Sequence, residues 1–258
     1  MSFHVLNRSF RGVFLCLLLS CMSGLSAEEF QVEVTSLKAA GDQGLGFTLM
    51  NAVETQVSFR NDLDPRKGAA NRVLFNGSGV AVGDWDNDGL PDLFFCGIDS
   101  PNHLYRNLGQ WKFEKVSIPP SLQNPGAPCR GAVFADLNGD RYLDLLVSTV
   151  GMGVRSFFNQ GGLEFEDATQ KVGTGSEFGA TSMALADVDG NGTLDLYVAN
   201  YRSNDIRDQA RVPVRRVRGK LMPSEELSDR VFIHDGQIHE YGESDILYLN
   251  NGSGKMTP

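Results

Sequence analysis

The chain has 258 residues, of which 41% are hydrophobic, with 29 glycines and 10 prolines. That is enough apolar material for one large or two small globular domains, and it excludes a disordered tail. The formal net charge of -9 repels phosphate backbones and argues against a nucleic-acid partner.

Residues 1–27, MSFHVLNRSFRGVFLCLLLSCMSGLSA, run from a basic stretch ending at Arg11 through an apolar core, Val13 to Leu19, to small residues ending at Ala27. This is the layout of a secretory signal cleaved near Ala27. The apolar run is shorter than the roughly 20 residues a membrane-spanning helix needs, so no transmembrane span is expected. The stretch LLSC also offers Cys21 for a lipid anchor, as an alternative to free secretion. Arg8 and Arg11 are the only charges removed by cleavage, leaving a mature chain of -11 in a secreted, cell-surface or periplasmic location. Residues 28–70 form a lead-in without repeat character. Cys96 and Cys129 remain after processing; export permits a disulfide between them, and the alternative is two small buried hydrophobes.

From residue 71 onward one pattern recurs. DWDNDGLPDL begins at Asp84, DLNGDRYLDL at Asp136 and DVDGNGTLDL at Asp187, separated by 52 and 51 residues. Each cluster lies between two short apolar stretches: GVAVGD and DLFFCG, GAVFAD and DLLVST, SMALAD and DLYVAN. Fifteen residues after the last aspartate of the first two clusters, a third strand closes on Asn107 and Asn159, followed by a Gly-containing turn and a fourth strand in WKFEKV and LEFEDA. Four short strands per repeat of about 50 residues predict an all-β fold of β-propeller blades, with repeats at about 71–120, 121–173 and 174–258. In the third repeat ILYLN ends at Asn250, 55 residues after Asp195, so an insertion is placed at about 202–243. The sequence is expected to stop at NGSGKMTP, inside the turn toward a fourth strand. Three repeats fall short of the 4 to 8 blades that close a ring, which predicts a fragment of a longer protein.

Side-chain oxygens occupy positions 1, 3, 5 and 9 of every cluster: Asp84, Asp86, Asp88 and Asp92; Asp136, Asn138, Asp140 and Asp144; Asp187, Asp189, Asn191 and Asp195. With the position-7 carbonyls of Leu90, Tyr142 and Thr193, such a loop suits a Ca²⁺ ion seeking 6 to 8 oxygens, giving up to three sites. Position 12 is Phe95, Val147 or Val198 rather than glutamate, so the loop is a strand-to-strand clip and not an EF-hand. A plain turn needs one or two such residues, not an oxygen at four positions three times over. Loop 2 departs at Arg141, where the other two have glycine at position 6.

The segments GVAVGDWDNDGLPDL, NHLYRN and GATSMALADVDGNGTLDLYVANY resemble the FG-GAP/VCBS repeats of integrin α-type propellers, and more closely the bacterial secreted relatives of cartilage acidic protein. The resemblance covers about residues 45–258. It implies a calcium-stabilised propeller with further blades and a small C-terminal domain, and it carries calcium ligation onto the positions above but brings no catalytic residues. In such a blade Cys96 and Cys129 lie near one face, which implies a bridge between them.

The insertion is electrically two-sided: residues 202–220 hold seven basic and two acidic side chains, residues 225–245 seven acidic ones against Arg230. Either its basic half is an arm for a polyanion or acidic partner, or the halves neutralise each other or rest on the acidic propeller; charge runs are usually matched internally, which favours the second. His234 and His239 in this polar stretch read as surface residues rather than a zinc site. Asn76, Asn191 and Asn251 lie in N-x-S/T sequons, relevant only in a glycosylating host. With no GxSxG or HExxH pattern, the expected function is a non-catalytic extracytoplasmic calcium-binding module for an extracellular protein or glycan; the alternative is the scaffold of a larger secreted enzyme with its catalytic part beyond residue 258.

Overall fold

The computed structural model describes residues 48–162 and 164–258; the expected signal segment, Cys21 and the first part of the lead-in lie outside the described residues. Leu49–Pro258 form one compact unit. Its strands assemble into antiparallel four-stranded sheets, as the alternating apolar stretches require. The first holds β1 (Val80–Gly83), β2 (Asp92–Phe95), β3 (His103–Asn107) and β4 (Phe113–Val116), in that order. The second repeats it with β5 (Cys129–Ala135), β6 (Asp144–Thr149), β7 (Val154–Asn159) and β8 (Phe165–Asp167). In the third, β9 (Ala180–Ala186) pairs with β10 (Asp195–Asn200), and the chain then makes β11 (Val214–Val217), β12 (Lys220–Pro223), β13 (Val231–His234) and β14 (Gln237–Glu240) before returning as β15 (Ile246–Asn250) and β16 (Met256–Thr257). These sheets are propeller-like blades, and among the described residues they do not close into a barrel.

The end of the chain differs from expectation. It completes the turn, and Thr257 and Met256 pair with Leu249 and Asn250. Gly252 at φ 84° and Gly254 at φ 77° supply the left-handed backbone that lets the turn close within a few residues.

Period-2 alternation explains which blade buries what. The second blade is covered on both faces, so every residue of β6 is buried. Leu145 and Val147 join Ala81, Phe94, Leu104, Phe157 and Phe165 in the core between blades 1 and 2. Leu146 points the other way, into the core between blades 2 and 3 with Phe158, Leu196, Val198, Tyr248 and Met256. The outer blades are covered on one side: Ala81 is 4% exposed whereas Val80 and Val82 are 48% and 60%, and Tyr197, Leu247 and Leu249 are exposed on the far side of blade 3.

In each meander the β1–β2 type of turn lies at one edge and the β2–β3 type at the opposite edge. The lead-in crosses this opposite edge. It carries the short helices α1 (Ala52–Thr55) and α2 (Pro65–Ala70); Phe59 stacks on Phe95 with centroids 5.0 Å apart, the Ile98 amide donates to Asn61 Oδ1 at 2.9 Å, and Arg72 pairs with Asp208 of the insertion. We expect Leu146→Ala to lower unfolding free energy by about 2–5 kcal/mol, because it opens a cavity between two sheets. Leu247→Ala, already solvent-exposed, should cost less than about 1 kcal/mol in the same urea denaturation series.

Candidate metal centre and the aspartate loops

The aspartate loops join the first two strands of each blade and fold alike. Positions 4 and 6 are left-handed in all three: Asn87 (φ 59°) and Gly89 (88°), Gly139 (78°) and Arg141 (73°), Gly190 (77°) and Gly192 (84°). Arg141 therefore adopts the glycine conformation, at a cost on the order of 1 kcal/mol.

The position-1 aspartate organises the loop backbone. Asp84 accepts the amides of Asp88 (3.0 Å) and Gly89 (2.8 Å). Asp136 accepts Gly139 (2.8 Å) and Arg141 (2.9 Å), and Asp187 accepts Gly190 (2.8 Å) and Gly192 (2.9 Å). Position 5 holds position 7: the amides of Leu90, Tyr142 and Thr193 donate to Asp88, Asp140 and Asn191 at 2.9, 2.8 and 2.8 Å.

The position-9 aspartates, Asp92, Asp144 and Asp195, are buried. Each accepts the position-2 amide on one oxygen and the amide of the asparagine closing strand 3 on the other. Asp92 takes Trp85 (3.2 Å) and Asn107 (2.7 Å), Asp144 takes Leu137 (3.0 Å) and Asn159 (2.9 Å), and Asp195 takes Val188 (2.9 Å) and Asn250 (2.8 Å).

Those asparagines have a role the sequence did not reveal. Asn159 Nδ2 donates to Leu143 O at 3.1 Å in its own loop and to Trp85 O at 2.7 Å in the loop before. Asn250 Nδ2 does the same with Leu194 O (3.1 Å) and Leu137 O (2.9 Å). Asn107 reaches Pro91 O of its own loop at 2.8 Å. The signal was present as an asparagine closing the third strand of every repeat, 15 residues after position 9 in the first two.

Carboxylate oxygens converge in two loops. Those of Asp84, Asp86 and Asp88 lie within 4.8 Å of one another, as do those of Asp187, Asp189 and Asp195. These clusters could hold a metal ion. In loop 1 Asp92 stands outside the trio. In loop 2, Asn138 Nδ2 donates to Asp140 Oδ2 at 3.0 Å, and its carboxylates do not form such a group among the described residues. Asp86 Oδ1 is buried without a hydrogen-bond partner, as expected of an oxygen aimed at a cation. Arg106 from β3 partly fills that need, approaching Asp86 Oδ2 at 2.7 Å and Asp88 Oδ2 at 3.0 Å. The equivalent residues before the closing asparagine in the other blades are Phe158 and Leu249, so this internal cation belongs to loop 1.

Burial raises the Asp92 and Asp144 carboxyls to about 6, outweighing the amide bonds that oppose it. Asp195 shifts the other way, because its amide bonds from Asn250 and Val188 outweigh the effect of burial.

Cys96 and Cys129 share the core between blades 1 and 2, but both are free buried thiols, so the expected bridge is not present. Asn102 Nδ2 donates to Cys129 Sγ at 3.3 Å, giving that sulfur a partner of its own. Burial pushes the Cys129 thiol up to about 11 and Cys96 further in the same direction, so neither is a ready nucleophile. His234 and His239 lie with ring centroids 6.2 Å apart; His239 stacks on Phe232 at 5.1 Å and His234 faces Asp235.

Stacked antiparallel blades, each with an acidic loop between its first two strands, define the class as a propeller-type repeat protein. The FG-GAP-like repeat pattern matches residues 84–147 and 136–198, each match running from one aspartate loop through the next. Cartilage acidic protein 1 of Mus musculus is 28% identical over 195 residues, 70% of this chain and 30% of that protein. The Homo sapiens protein gives 28% over 195 residues, 70% and 29%, and that of Xenopus tropicalis 28% over 142 residues, 53% and 22%. The chain carries FG-GAP-like repeats and is homologous to cartilage acidic protein 1, spanning less than a third of the length of these curated relatives.

A carboxyl whose folded pKa is raised disfavours the folded state once ionised. The penalty is absent below the ordinary value of 3.8 and complete above about 6. The chelated protein should therefore gain on the order of 1–2 kcal/mol between pH 7 and pH 5, read from urea midpoints; Asp144→Asn should remove about half of that gain. Asn159→Ala should cost about 1–3 kcal/mol at either pH, because it strands the Trp85 and Leu143 carbonyls.

Proposed function

We propose that the chain is an extracytoplasmic, calcium-stabilised propeller module that binds a protein or glycan and does no chemistry of its own. The observation that carries the calcium part is the convergence of three carboxylates in each of loops 1 and 3, with the buried Asp86 Oδ1 of loop 1 left without a hydrogen-bond partner. Hard oxygen donors without a thiol or imidazole suit Ca²⁺ better than a transition metal. Asp84, Asp86 and Asp88 would hold it in loop 1, with the Leu90 carbonyl; Asp187, Asp189, Asn191 and Asp195 with the Thr193 carbonyl in loop 3. Asp136, Asn138, Asp140, Asp144 and the Tyr142 carbonyl form the weakest set. A bound divalent ion would offset repulsion among the carboxylates, and at a Kd of about 10⁻⁵ M in about 1 mM Ca²⁺ each site adds about 2.7 kcal/mol.

A cleft of about 320 Å³ lies between the lead-in and blades 1 and 2, and its charged groups, Lys67 and Asp99, are paired with each other. Among the described residues no helix is long and apolar enough to cross a membrane.

Calcium titration of the chelated chain, followed by calorimetry and far-UV circular dichroism, tests the reading. Saturable binding is expected, with Asp84→Ala and Asp187→Ala each removing one ion. A folded chain that binds none would overturn it. Because calcium in loop 1 displaces Arg106, Arg106→Ala should tighten that site by about tenfold, corresponding to one displaced charge contact of about 1.4 kcal/mol, and leave loop 3 unchanged.

A further inference from the structure

The insertion sorts its basic residues into two sets. Arg202, Arg207 and Arg230 are committed to structure: Arg202 and Arg230 clamp Glu240 at 2.7 and 2.5 Å, and Arg207 grips Asp205 at 2.6 Å. Both carboxylates are nearly completely buried. The hairpin of β11 and β12 is built differently. Residues 209–224 contain Arg211, Arg215, Arg216, Arg218 and Lys220 and no acidic residue. Arg215 meets Glu225 at 2.8 Å, with the carboxylate itself 83% exposed. Arg211, Arg216, Arg218 and Lys220 have no ion pair among the described residues, and every residue from Val214 to Met222 is exposed. The halves of the insertion therefore neutralise each other only in part, through Arg202 with Glu240 and Arg215 with Glu225. Nor does the basic half rest on the aspartate loops, because the insertion leaves blade 3 at the opposite edge.

We propose that this hairpin is a docking finger for a linear anionic polysaccharide. Its geometry selects among anionic partners. The turn at Arg218 (φ 50°) and Gly219 (φ 83°) folds the strands back directly. In the register Val214↔Pro223 to Val217↔Lys220, Arg216 lies on one face while Arg215 and Lys220 lie on the other, with Arg218 at the tip. A flat membrane meets one face alone, whereas a flexible chain engages both faces and the tip. Four-residue strands project about 14 Å, beyond the roughly 8 Å screening length at physiological salt, so a slender polyanion reaches the finger without meeting the acidic body. Guanidinium groups recognise sulfate, phosphate or carboxylate through paired hydrogen bonds. The choice of a polysaccharide over other polyanions rests on the extracytoplasmic reading above; the charge geometry does not depend on calcium.

The test uses the full chain and dextran sulfate as probe, with neutral dextran, polyglutamate and anionic phosphatidylglycerol vesicles as comparisons. Saturable binding to dextran sulfate but not dextran is expected, weakening at least tenfold from 50 to 200 mM salt. The triple variant Arg216→Ser, Arg218→Ser, Lys220→Ser should lose at least tenfold in affinity with unchanged circular dichroism and calcium titration. A triple variant that binds as well as the parent overturns the proposal, as does preference for polyglutamate or vesicles. Absence of calcium binding with dextran sulfate binding intact would overturn the calcium reading alone.

Discussion

Three buried carboxylates carry the architecture. Asp92, Asp144 and Asp195 each bind the second residue of a loop with one oxygen and the end of the third strand with the other. One side chain thereby fixes where three strands of a blade begin or end, in a place where water cannot substitute. The cost is an ionised group in the protein interior, visible in the raised Asp92 and Asp144 carboxyls. The two amide bonds per carboxylate compensate part of that cost. Further negative charge at positions 1, 3 and 5 makes a nearby cation favourable. Arg106 supplies one in loop 1, whereas loop 3 has an aliphatic residue at the corresponding place.

Between blades the structure relies on two different forces. Apolar side chains interleave across each interface, with the middle sheet giving alternate residues of β6 to opposite neighbours. At the loop edge Asn159 and Asn250 add directional bonds to the preceding loop. The apolar contacts set how closely the sheets approach, and the amides set which residue faces which.

The strands were legible because the apolar alternation and the aspartate spacing repeat with almost constant period, and loop positions 1, 5 and 9 act on the backbone as turn-forming residues do. The cross-loop bonds of Asn159 and Asn250 were not legible, since a closing asparagine reads as a turn residue until the neighbouring blade is placed beside it. Arg106 went unnoticed for the same reason: its position in HLYRN says nothing of a loop reached only through strand pairing. Charge counting was right for Arg202 and Arg215, which pair with Glu240 and Glu225, but it did not show that the rest of the basic hairpin is left out of such pairs. Two cysteines near one face suggested a bond that the side chains do not make.

Close approach between consecutive blades also limits how the repeats can change. A Cβ at Gly162 would sit 3.1 Å from the Asp86 Cα, and one at Gly254 would sit 2.7 Å from the Phe158 ring. Each glycine is thus fitted to a residue one repeat earlier, so the blades are not interchangeable parts. Transplanting or duplicating a single blade would carry half of each fit across the junction and leave the other half behind. Every cut between Asp86 and Gly254 therefore parts at least one glycine from the surface it was shaped against, so the three repeats can be exchanged only together.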